Sequence, residues 1–244
     1  METLLLGEIM QTIYNKTLED TMYEGNIPVF IYNINYPFFT TTFSTAAGEK
    51  ISSYYAINAK KTETYCREEL FPLASSSALY RPGNQPPFHS YTLDVTYKIT
   101  YNVTCITSLY MEEYTYMGGA HGATTRTSHT WNFISGKQLE LKDFFPDDPS
   151  YQQYILENIH KDIAKRQKEK SEFYFENYEE LVRNTFDPKN FYLTPDGIII
   201  YFQQYDIAPY VNGIPEFLFP FTDSAMEKES GFSPLQYQKK NQIS

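Results

Sequence analysis

The densest group of residues capable of chemistry in this chain is Gly118-Gly119-Ala120-His121-Gly122. Glycines around a histidine allow positive φ and let the backbone carry the imidazole close to another surface. A tight loop, a ligand contact or an active site would each need that freedom. General-base chemistry at His121 also requires an orienting carboxylate and a nucleophile, and no Ser or Cys stands in an elbow context to serve. The residues therefore read as a structural or ligand-contacting loop with no catalytic set, and a hydrolase built around His121 is the alternative. His121 and His129 are not spaced as a helical metal pair and no third ligand is evident, so no zinc site and no cofactor are expected. Cys66 and Cys105 belong to no CxxC pair and read as two buried free thiols. The adjacent carboxylates Glu112-Glu113 and Asp147-Asp148 read as solvated charge, on opposite faces if on a strand and as caps if at a helix start.

A second segment could recognise a partner. Tyr205-Asp206-Ile207-Ala208-Pro209-Tyr210-Val211-Asn212-Gly213 is a semi-apolar loop with one proline and two tyrosines. It is either a crossover with packed rings or a preformed wedge for a partner's cleft. A glycine loop and a Pro-Tyr loop each close a core poorly alone, so the two are expected to converge, Gly118 to Gly122 near Asp206 to Tyr210.

Composition narrows the partner. The chain has 244 residues, 23 Tyr, 18 Phe and a formal net charge of -10. That length buries a core without metals or a disulfide framework. The charge argues against nucleic acid, whose phosphates would be repelled, and favours a basic partner. The aromatics read first as sheet formers and second as a recognition face. No stretch reaches the apolar length of a transmembrane span, and Leu4-Leu5-Leu6 is too short for one and lacks a signal peptide's basic flank.

The elements that would position these loops follow from periodicity. Ile27 to Tyr32 reads as a strand, with a helix after Pro37. From Ile51 to Leu70 the positions Ile51, Tyr54, Tyr55, Asn58, Tyr65, Cys66 and Leu70 recur at helical spacing, Lys60, Lys61, Glu63 and Arg67 lie on the other side, and Pro72 ends the run. Residues 81–88 are a loop by their prolines. Tyr91 to Cys105 alternates with period two, implying two long antiparallel strands with a turn near Asn102. Thr124 to Ile134 and Leu139 to Leu141 extend a meander through Ser135-Gly136-Lys137. Asp148-Pro149 starts a helix burying Ile155, Leu156, Ile159 and Ile163. Asn177 with Glu180 has capping-box spacing for another, burying Tyr178, Leu181, Val182 and Thr185. Asn190 to Leu193 and Ile198 to Phe202 flank Asp196-Gly197 as a hairpin, and Glu216 to Pro220 is a last strand. The class is α+β, antiparallel sheets with helices packed against them.

Three separated motifs then resemble a known family. These are Tyr116-Met117-Gly118-Gly119-Ala120-His121-Gly122, then Trp131-Asn132-Phe133 with Leu141-Lys142-Asp143-Phe144-Phe145, and Phe191-Tyr192-Leu193-Thr194 with Tyr201-Phe202 through Tyr205-Asp206-Ile207-Ala208-Pro209-Tyr210 and Gly213. Their order is similar to the extracytoplasmic module of lysozyme-sensing anti-sigma factors of the RsiV type, and to the non-catalytic module of PdaC-type peptidoglycan deacetylases. The resemblance implies an N-terminal domain over 1–110, a C-terminal domain over 111–230 and a tail over 231–244. It also implies a location outside the membrane and a non-enzymatic role in binding a lysozyme-like protein or peptidoglycan. Tyr116, Gly118, Gly119, His121, Tyr205, Asp206, Pro209 and Tyr210 are the ligand-binding candidates. The sigma-binding segment, the membrane helix and the deacetylase domain of those families have no counterpart in these residues.

Overall fold

The computed structural model describes residues 11–80, 88–145, 149–169 and 173–221. Strands β1 (Thr12–Glu24), β2 (Ile27–Thr40), β3 (Tyr91–Val103), β4 (Ile106–Tyr116), β5 (Ala123–Asn132) and β6 (Lys137–Leu139) form one sheet in sequence order. All neighbours are antiparallel except β2 and β3, which run parallel. A parallel pair needs a long crossover. Helices α1 (Thr45–Tyr65) and α2 (Phe71–Leu79) supply it. The α+β class holds, with this one parallel step inside the meander.

Several local expectations are corrected. β1 lacks clean apolar alternation, which is why it is invisible to pattern reading. It is an edge strand, and most of its side chains are exposed or half-buried. β2 does not end before Pro37 but runs to Thr40. β3 pairs with β2 only over Phe30–Ile34, so Pro37 stands where β2 has a single neighbour, an edge-like position that proline tolerates. The turn expected near Asn102 lies at Thr104 and Cys105, with Thr104 at φ 52°.

Pro72 does not end the helix. Ser44 caps α1, its hydroxyl accepting from the Ala47 N–H at 3.2 Å. Beyond Tyr65 one π-helical turn spans Cys66–Leu70, with the Phe71 N–H bonded to the Cys66 carbonyl. Pro72 thereby enters in the first turn of α2, where a missing N–H costs little. Tyr65 is exposed, whereas Glu63, expected in solvent, is buried and accepts from the Tyr32 hydroxyl at 2.9 Å.

A second sheet, antiparallel, comprises β7 (Phe191–Leu193), β8 (Gly197–Tyr201) and β9 (Glu216–Pro220). Asp196-Gly197 marks this hairpin by its backbone freedom, yet neither residue has a positive φ. Close approach explains the glycine better. A Cβ at Gly197 would lie 2.2 Å from the Phe219 carbonyl oxygen of β9. Helix α3 (Tyr151–Glu169) buries Ile155, Ile159 and Ile163 against this sheet, with Leu156 only partly covered. In α4 (Tyr178–Thr185) the capping box does not form, because Asn177 has φ -93° and ψ 25° and its side chain makes no cap bond. Val182 is its fully buried residue. Asp147, Asp148, residues 81–87 and the tail lie outside the described residues.

The core has three clusters. Two lie under α1 and α2, around Tyr32, Ile34, Leu93 and Leu70 and around Phe39, Tyr55, Trp131 and Phe133. The third joins the second sheet and α3 to Ile106, Leu139 and Leu141. Cys66 and Cys105 are buried, unpaired and in different clusters. Residue 110 lies within β4, so the six-stranded sheet runs unbroken across the division drawn there from sequence.

Candidate functional site

Period-two alternation gives β4 and β5 two different faces. Leu109, Met111 and Glu113 stand opposite His129, Thr127 and Thr125 on the α1 side, while Glu112 pairs with Arg126, and Tyr110 with Ser128, on the other. The second sheet covers this other face through polar contacts. Ser128 donates to the Phe191 carbonyl at 2.5 Å, and the Leu193 N–H donates to Ser108 at 2.9 Å. At the centre is Arg126, its side chain 8% exposed. Its guanidinium donates to Glu112 at 2.6 and 3.0 Å, pairs with Glu216 of β9 and stacks 4.1 Å from the Tyr110 ring. Tyr192 donates to Glu216 at 2.9 Å, and burial, reinforced by the Glu216 charge, pushes its phenol well up. This hub was missed from sequence because alternation assigns Arg126, Ser128 and Thr130 to solvent. The available signal was a lone arginine in a strand of threonines and serines.

The hub fixes the loop after β8. Gln203 clamps β5, accepting from the Arg126 N–H at 2.9 Å and donating to the Arg126 carbonyl at 2.7 Å, and Gln204 accepts from the Thr124 N–H. Asp206 closes the turn by accepting from the Gln203 N–H at 2.8 Å, and burial raises its carboxyl above the usual range. Ile207 and Ala208 are buried behind it. What remains outside is two tyrosines and a valine. Tyr205, at φ 68°, is 50% exposed, Tyr210 is 38% exposed and Val211 is 76% exposed.

The glycine loop meets this face. Gly118 and Gly119 both have φ 91°, and a Cβ at Gly122 would lie 2.5 Å from the Thr115 carbonyl oxygen. So the chain leaves β4, folds tightly against it and presents His121 outward. The imidazole stacks on Tyr210, ring centroids 4.3 Å apart at 20°, and Tyr205 lies 6.0 Å from Tyr210 on a tilted plane. His121 Nδ1 is 2.8 Å from the Gly122 carbonyl. A carbonyl only accepts, so Nδ1 carries the proton. Among the described residues His121 makes no hydrogen bond or ion pair with a carboxylate, serine or cysteine. Of the candidates, the structure therefore brings together His121, Tyr205 and Tyr210 beside Pro209. Tyr116 and Gly118 instead gather around Tyr91, and Tyr116 donates to the Gly119 carbonyl at 3.1 Å. Asp206 is a turn-closing group. Among the described residues no cluster of three or more His, Cys, Asp or Glu could hold a metal ion, and no helix is long and apolar enough to cross a membrane.

His129, on the α1 side of β5, is electrostatically distinct. Nε2 lies 3.0 Å from the Tyr54 hydroxyl, and burial pushes its pKa down to about 4 from the usual 6.5. The unfolded chain then binds a proton that the folded chain refuses. Stability should be complete above pH 6.5 and fall by up to about 1.4 kcal/mol per unit as the pH drops from there to about 4. Denaturant midpoints from pH 7 to 4 measure this. His129→Gln should flatten that part of the slope, and an unchanged slope would refute the assignment.

Comparisons with known proteins cover the same segments. Residues 23–124 match the family described as Deacetylase PdaC, and residues 142–222 match a protein family of unknown function, DUF3298. The peptidoglycan-N-acetylmuramic acid deacetylase PdaC of Bacillus subtilis is 24% identical over 212 residues, which are 81% of this chain and 40% of that protein. The chain thus spans less than half the length of this curated relative. A DUF3298-family structure from Bacteroides fragilis superposes with a TM-score of 0.69 at 20% identity, covering 96% of this chain and 100% of that one. A DUF3298-family protein from Pseudomonas aeruginosa gives 0.58 at 15%, covering 91% and 95%. These structures share the α+β fold.

Proposed function

We propose that the chain is a non-enzymatic, extracytoplasmic-type binding module that recognises a cell-wall-related ligand, a lysozyme-like protein or peptidoglycan. The observation that carries this reading is the exposed aromatic face where His121 stacks on Tyr210 beside Tyr205. Rings held on clamped loops lose little conformational freedom on binding and supply large contact area. Gly118 and Gly119 shape one loop, Asp206 and Pro209 the other, and Tyr116 braces the first. The match to a peptidoglycan deacetylase over a stretch that is 40% of that protein supports a cell-wall ligand. The resemblance to lysozyme-sensing anti-sigma modules and the net charge of -10 support a basic protein partner.

Titration of the chain with a basic lysozyme of the animal type and with soluble peptidoglycan fragments tests the reading. Saturable binding of at least one, without turnover, is expected; silence toward both would end it. His121→Gln should cost about 0.5–1.5 kcal/mol of stability through the lost ring contact. If the chain instead hydrolyses a glycan or ester, and this variant abolishes that rate, the hydrolase alternative takes its place.

A further inference from the structure

The first sheet ends on β1, which is hydrogen-bonded to β2 alone. Among the described residues no strand lies on its other side, so a row of backbone N–H and C=O groups faces outward. Proteins usually blunt such an edge by keeping it short or by placing proline in it. β1 has 13 residues, against about 5–6 for an ordinary strand, and no proline. Its surroundings are also apolar. Tyr14 and Tyr23 on β1, and Ile27, Ile31 and Phe38 on β2, are exposed. Leu18 and Met22 are half-buried against the cluster that contains Leu70 and Ala74, and a further strand beside β1 would extend their burial.

The occupant can be read from β1 itself. A two-fold axis joining two copies edge to edge in antiparallel fashion stands perpendicular to the sheet, so each side chain meets one on the same face of the other copy. Facing positions then differ by an even number, and one residue lies on the axis. Centring on Lys16, Glu19 or Asp20 sets like charges against each other. Centring on Thr17 places Lys16 against Leu18 and Tyr14 against Asp20. Centring on Leu18 sets Lys16 against Asp20 at both ends, Tyr14 against Met22, and leucine against leucine on the axis, with no like charges opposed.

Both charges are available for this pairing. Lys16 is exposed, lies 5.6 Å from the centre of the Phe38 ring and has no carboxylate partner among the described residues. Asp20 accepts from Arg67 at 2.7 Å, but its side chain is 40% exposed, which leaves it room for a second cation. Charges that turn away an unrelated strand thus match a second copy of this one. We propose that β1 is a homodimer interface, two copies pairing antiparallel about Leu18 from Tyr14 to Met22 and joining their first sheets into one. The proposal does not depend on the ligand of the aromatic loops, which stand on other elements.

The test is sedimentation of the full chain over a dilution series from about 1 to 200 µM, where a monomer–dimer equilibrium with a Kd on the order of 10 µM is expected for a single pair of strands. Lys16→Glu opposes like charges at both ends of the pairing and should weaken the dimer about tenfold without moving the melting temperature. Leu18→Cys should give a disulfide-linked dimer under mild oxidation, since facing Cα atoms lie about 4.5–5.5 Å apart, whereas Asn15→Cys should not. Cys66 and Cys105 are buried and do not compete. A chain monomeric over the whole series would overturn the proposal and leave the edge to another segment or partner. So would a dimer that Lys16→Glu leaves as strong, or one crosslinked equally through Asn15→Cys.

Discussion

Arg126→Met should destabilise the fold by about 3 kcal/mol, the low end for removing one member of a buried ion pair, because Glu112 and Glu216 keep some access to water. The loss has two parts. Two carboxylates from different sheets are left facing each other, and the guanidinium no longer fills the space over the Tyr110 ring. At this chain length the melting temperature should fall by roughly 6–12 °C. Arg126→Lys should recover only a fraction, since an ammonium cannot bridge both acids and stack on a ring at once. Arg183→Met, at an exposed position of α4, should stay within about 0.5 kcal/mol of the native chain. Thermal melts of the three variants measure this. An Arg126→Met melt indistinguishable from the Arg183 control would mean that the hub does not hold the sheets together.

The second large effect concerns binding. Tyr210→Ala should weaken the proposed complex with a basic lysozyme about thirtyfold, corresponding to about 2 kcal/mol for an aromatic anchor, and mainly by faster dissociation. Removing the phenol also strips His121 of its stacking partner, so both loops lose their outward support. Charge acts on the other rate. With a net charge of -10 the chain attracts a basic protein, and raising salt beyond the roughly 8 Å Debye length of physiological buffer should slow association while leaving dissociation nearly unchanged. Surface plasmon resonance at two salt concentrations separates the two rates. Unchanged affinity in Tyr210→Ala would remove this loop from the interface.

The sequence was most legible where one face of an element is apolar. The alternation from Tyr91, the stripe of Ile155, Ile159 and Ile163 and the hairpin around Asp196 all name their burial partners through simple periods. The meeting of the two loops was also legible, since neither loop could close a core alone. Legibility failed where polar residues are buried by polar partners. Arg126, Ser128 and Thr130 carry the pattern of a solvated strand face, and only a second sheet bringing Glu216, Tyr192 and Tyr201 reverses their exposure. Glu63 is a similar case, since its partners Tyr32, Lys60 and Arg67 come from β2, α1 and the π turn. The passage of the helix through Pro72 was hidden because a π turn is a backbone adjustment that leaves no mark in side-chain spacing.

The single parallel step in the first sheet also governs the order of assembly. β1 with β2, and β3 with β4, are hairpins that close over two-residue turns within microseconds and at small entropic cost. Joining β2 to β3 means enclosing the whole chain between Thr40 and Tyr91, and that closure is repaid only when α1 and α2 are formed and laid across both strands. The two hairpins and the helices between them are thus local structures waiting on one non-local contact. Mutations at Tyr32, Ile34, Leu93 or Val95, where that contact is made, should slow folding more than they speed unfolding, whereas those in the second sheet should do the reverse.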